Sequence, residues 1–130
     1  MAVSNLAKNM SVNAFAGRVE RAVKRLFSSV RAGFLFGSAT YDAANLVDGA
    51  GATSTITVTG AALGDFVVGL SYGVDLQGIT LTGYVSAANT VSFRLQNETG
   101  GAIDLASTTV RAVVLKRDHM NGTAILGIQP

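Results

Sequence analysis

The chain has 130 residues, no cysteine, one histidine and a formal net charge of +2. It is 48% hydrophobic and 14% charged, which excludes intrinsic disorder, a disulfide framework, a thiolate metal site and a cysteine nucleophile. The charge is unevenly divided: residues 1–36 carry six basic residues against Glu20 alone, whereas residues 37–130 carry four basic against seven acidic. A basic arm followed by a mildly acidic body is therefore expected, divided as 1–36 arm, 37–117 body and 118–130 tail or edge strand.

The arm reads as one amphipathic helix. Val12, Phe15, Val19, Val23, Leu26, Phe27 and Val30 recur at three- and four-residue steps, a stripe roughly 120° wide at 100° per residue. Arg18, Arg21 and Arg25 project from the other side, and Glu20 and Lys24 form an i,i+4 pair. Ser11 or Asn13 suits the start and Gly33 the stop, giving about 18 residues of helix. Such a helix cannot bury its stripe on itself, so it is expected to lie on the β body, on another subunit or on a partner. No apolar stretch is long enough for a membrane span, and no secretory signal is expected.

From Gly37 the hydrophobic period becomes two. Ser54–Thr59 alternates, with Ile56 and Val58 on one side. Phe66–Tyr72 is more continuously apolar, as for a strand buried on both faces, and Ile79–Val85 alternates again. Ser86–Thr90 reads as a loop. Val91, Phe93 and Leu95 face inward along the next strand, Asn97–Gly101 is a turn, and Thr108–Leu115 is a late strand. The Ala124–Ile128 run is read as a last edge strand or an arm that pairs with a neighbour. Short strands with turn signals every 10–14 residues indicate a mainly β fold: an antiparallel β-sandwich or jelly-roll-like body behind an N-terminal helical arm.

No catalytic constellation emerges. Asp42, Asp48, Asp65, Asp75 and Asp104 are scattered among turns, where aspartate hydrogen-bonds backbone. Asp48–Ala52 lacks the Lys-Ser/Thr of a phosphate loop. His119 has no adjacent nucleophile and reads as a surface histidine, and Arg94, Arg111, Lys116 and Arg117 read as a solvated face. No enzymatic activity, metal, cofactor or small-molecule substrate is expected.

The stretch from Ala39 to Arg117 carries a recognisable phrase. It includes Thr57-Val58-Thr59-Gly60-Ala61-Ala62-Leu63-Gly64-Asp65, Gly83-Tyr84-Val85-Ser86-Ala87-Ala88-Asn89-Thr90-Val91 and Gln96-Asn97-Glu98-Thr99-Gly100-Gly101. This resembles a small β-module common among tailed-bacteriophage virion proteins, similar in kind to trimeric capsid cement (decoration) proteins. It departs from that pattern at Ala43-Ala44, in the basic arm and in the tail. The resemblance implies a non-enzymatic homotrimer in the phage head that bridges and stabilises major capsid subunits. The alternative is a trimeric tail-fibre, baseplate or adaptor protein. On this reading the partner-binding residues are Phe15, Arg18, Val19, Arg21, Val23, Arg25, Leu26 and Phe27, the partner is the major capsid protein, and neither nucleic acid nor membrane is a partner.

Overall fold

A computed structural model describes residues 2–119, with side chains from Val12 onward. The expected edge strand over 124–128 lies outside the described residues. One helix, α1 (Ala2–Ala32), precedes six strands: β1 (Phe34–Tyr41), β2 (Gly51–Thr57), β3 (Phe66–Tyr72), β4 (Thr80–Ala87), β5 (Thr90–Gln96) and β6 (Thr108–Leu115). The strands form two three-stranded antiparallel sheets, β1-β6-β3 and β2-β5-β4, which is the expected sandwich.

The central strands supply the core. Val91, Phe93 and Leu95 of β5 and Val110, Ala112 and Val114 of β6 are buried at alternate positions, and Ile56 and Val58 join them. Tyr41 meets Phe93 edge to face, with ring centroids 5.2 Å apart. A second cluster, Ala43, Leu46, Ile79, Leu95 and Leu105, closes one end of the sandwich. Leu46 and Ile103 form an isolated antiparallel bridge there.

Three elements differ from the sequence expectation. The helix begins ten residues before Val12 and runs through Ser11 and Asn13, which therefore do not cap it. The reason is visible in the sequence: no proline or glycine interrupts 2–16. The helix does stop at Gly33, whose amide donates to the Val30 carbonyl at 3.1 Å. A side chain at Gly33 would crowd the His119 ring, which is half-buried against it and is not a free surface histidine. Second, β1 starts at Phe34, inside the stretch read as arm. Its short apolar run pairs along its whole length with β6. Third, the loop expected at 86–90 shrinks to Ala88-Asn89. Asn89 takes a positive φ of 59°, its Oδ1 accepts from the Gly60 amide at 2.7 Å, and its own amide donates to Ala61 at 2.8 Å. The hairpin tip is thereby tied to the exit of β2.

Gly37 has a steric reason. A Cβ there would overlap the Thr57 carbonyl oxygen and the Val58 side chain, so its absence lets β1 close against β2. At the opposite side of the sandwich, β3 and β4 carry register shifts at Val67/Gly69 and Val85/Ala87.

Asn97 is fully buried and has every polar side-chain atom partnered. Its Nδ2 donates to the Leu46 and Gly101 carbonyls at 2.7 Å each, and its Oδ1 accepts from the Thr99 amide at 3.0 Å and the Thr99 hydroxyl at 2.8 Å. Replacing it removes four hydrogen bonds made by a fully buried side chain. Asn97→Ala is expected to lower stability by about 3 kcal/mol, since each lost hydrogen bond costs ~0.5–1.5 kcal/mol. Urea unfolding measures this, and a loss below about 1 kcal/mol would show that the hub is dispensable.

Candidate functional site

The two outer sheet faces are chemically opposite. On β2-β5-β4 the outward positions are Thr53, Thr55, Thr57, Thr80, Thr82, Ser92 and Arg94, with Tyr84 among them. This face bonds within itself: Arg94 donates to Thr53 and Gln96, and Ser92 donates to Ser86 at 2.7 Å. It is a face made for water.

The outer face of β1-β6-β3 is polar at one end, where Ser38, Arg111 and Ser71 stand in one row. At the other end it is apolar. Phe34, Leu115 and Phe66 form one cross-strand row, and Phe36 and Val113 lie in the next beside Gly69 and the bulged Val68. Phe36 is 70% exposed, and Phe66 and Val68 are about half exposed. A shallow depression of about 450 Å³ opens between Phe36, Gly69, Val113 and Arg111. The expectation that β3 is buried on both faces is therefore not met within the chain. Its outer Phe66 and Val68 are apolar, and no other part of the described chain covers them.

The apolar end of this face is also where the arm is rooted. The Lys116 amide donates to the Gly33 carbonyl at 2.8 Å, which joins the helix end to the end of β6. Asp65 braces the junction from the loop before β3. Its carboxylate accepts from Lys116 Nζ at 2.7 Å, from the Arg117 amide at 3.0 Å and from the Ala62 amide at 2.9 Å. Burial alone would push the Asp65 carboxyl up, but the Lys116 ammonium and the two amides outweigh it and hold it below its ordinary value of 3.8. Lys116, read from sequence as part of a solvated face, is thus a mostly enclosed partner of Asp65. Among the other aspartates, Asp48 accepts from the Gly100 amide and Asp75 from the Gln77 amide, as expected of turn residues. Asp42 and Asp104 line a common cleft with Asn45 and Leu105. Among the described residues, no group of three or more His, Cys, Asp or Glu is placed to hold a metal ion.

The eight residues expected to bind a partner all lie on α1, and none of its large apolar side chains from Val12 onward is covered by the sandwich. Phe15 and Phe27 are 68% and 69% exposed, and Val12, Val19, Val23, Leu26 and Val30 are exposed as well. The option that the stripe packs on its own sandwich is thereby excluded for the described chain. The cause is the connection: Gly33 alone separates α1 from the start of β1, which leaves no chain to fold the helix back. Arg18, Arg21 and Arg25 are exposed on the other side, and Glu20 and Lys24 pair at 2.7 Å in solvent. Among the described residues no helix is long and apolar enough to cross a membrane. Comparison with protein-family models and with curated proteins finds no match for this chain.

The Asp65 brace makes a pH-dependent contribution of definite sign. A carboxyl whose folded pKa lies below its unfolded value stabilises fully above about 3.8, and the contribution is lost as pH falls through the folded value. The stability gap between the parent chain and Asp65→Asn should be about 2 kcal/mol near neutrality, as for removal of a charge-assisted bond. It should narrow below pH 3.8, measured by urea unfolding across that range. A gap that does not change with pH would rule out the ion pair as its source.

Proposed function

We propose that this chain is a non-enzymatic structural protein of the phage virion, a capsid cement protein that bridges and stabilises major capsid subunits as a homotrimer. The observation that carries the reading is the pairing of a compact sandwich with two large uncovered apolar surfaces, the α1 stripe and the Phe34–Phe36–Phe66 face. An isolated small domain has no use for surfaces of that kind, whereas a bridging protein does. The resemblance of the Ala39–Arg117 stretch to virion β-modules supports a virion location. Stabilisation would come from mass action: a chain that binds the assembled shell better than free subunits favours the shell.

In this reading the basic side of α1 meets an acidic region of the capsid protein. Arg18, Arg21 and Arg25 speed encounter and set register more than they add affinity. The uncovered apolar residues of the arm are buried across a subunit contact, so that linked copies bind the shell together and losing that contact costs occupancy.

Binding to emptied capsids tests the arrangement. Leu26→Asp should reduce occupancy by roughly two decades or more, since burying a charge in place of a leucine removes several kcal/mol and ~1.4 kcal/mol is tenfold. Lys24→Ala, outside the stripe, should bind within about twofold of the parent. Reversal of Arg18, Arg21 and Arg25 together should slow association while leaving the sandwich folded. Equal binding by all variants would exclude the arm as the anchor. A copy number of a few per virion, rather than hundreds, would favour the tail adaptor instead.

A further inference from the structure

The spacing of the exposed stripe says what covers it. Val12, Phe15, Val19, Val23, Leu26 and Val30 are separated by three, four, four, three and four residues, an unbroken three-and-four spacing over about five helical turns. That spacing averages about 3.6 residues per turn, the helix's own period, so the seam runs nearly straight along the axis. From Val12 to Val30 it extends for about 27 Å at ~1.5 Å per residue. Without Phe27, these six lie in a narrow band of roughly 80°, the width of a helix-to-helix seam and not the broad face of a helix lying on a sheet or a lipid surface. The apolar patch on the sandwich is too small to receive it: three strands at ~4.8 Å spacing span roughly 10–15 Å.

The charges beside the seam select the partner and its direction. Glu20 flanks one side, and Arg18 and Arg25 flank the other. In an antiparallel pair like flanks meet, which would set Arg18 against Arg25 of the second copy. In a parallel pair opposite flanks meet, and positions five residues apart face each other, which brings Glu20 to Arg25 of the next copy. Lys24 then faces the neutral Ser29, so no like charges oppose at that level. We infer that α1 is a self-association helix, which packs Val12, Phe15, Val19, Val23, Leu26 and Val30 in parallel register against the same residues of further copies of this chain. Arg21 stays on the outside of the bundle, free to meet another surface.

This inference does not rest on the capsid reading and is tested without capsids. The full chain sedimented between about 1 and 100 μM should be oligomeric. Val19→Glu with Leu26→Glu should weaken association by roughly a thousandfold or more, while the thermal transition of the β body stays unchanged. The chain has no cysteine, so Val19→Cys provides a clean direction test. In a parallel seam it should form an intermolecular disulfide rapidly under mild oxidation, and Arg21→Cys should lag well behind. Three results would overturn the inference: a monomeric parent chain at 100 μM, whether or not it binds anionic vesicles; an oligomer that survives the double substitution, which would move the contact to the sheet face; or equal cross-linking at positions 19 and 21.

Discussion

The contact on which the rest depends is the one between the two central strands. β5 and β6 each face the interior with three apolar side chains, and all six are no more than 1% exposed. Each central strand is flanked on both sides, so this pair sets the position of the four outer strands. It also sets the arm. β6 ends at Leu115, and the next residue holds the helix end through the Gly33 carbonyl while its side chain reaches Asp65. A loss of packing at Val114 would therefore be felt at the root of α1.

Two kinds of apolar surface coexist in the chain. One is inside the sandwich and closes on itself. The other lies on α1 and on the adjoining end of the β1-β6-β3 sheet, and the described chain does not close it. The threonine-rich face of β2-β5-β4 shows the contrast: Arg94 bonds Thr53 and Ser92 bonds Ser86 there. Such a division between a solvated side and an uncovered side is what makes an assembly reading natural for this molecule, and it places the uncovered side at the helix end of the sandwich.

Much of the fold was legible in the sequence. The period-two alternation at Val91, Phe93 and Leu95, and at Ile56 and Val58, is local and maps directly onto burial. The Phe66–Tyr72 and Thr108–Leu115 strands have the expected ends. β1 was hidden because its Phe34–Gly37 segment looks like any short apolar run until β6 provides a partner. The helix start was hidden because the apolar period begins at Val12 while helical backbone needs only the absence of a breaker. The Asp65–Lys116 pair could not be read, since its members lie 51 residues apart and only the folded β6 end brings them together. The continuous apolarity of β3 reads as burial on both faces, which the described chain does not provide, because outer Phe66 and Val68 stay exposed. For the stripe on α1, the residues were legible and their packing partner was not.

Gly37 and the two bulges bear on how such a molecule avoids polymerising. In a three-on-three sandwich four of the six strands are edges, each with a row of backbone groups able to template a further strand. Here β1 is drawn in against β2 at the corner where Gly37 lacks a side chain, and β3 and β4 each have a broken register. At β3 and β4 a flat incoming strand finds no regular ladder to extend. Extension of either sheet through β3 or β4 is thus interrupted, and contacts along those edges fall to side chains.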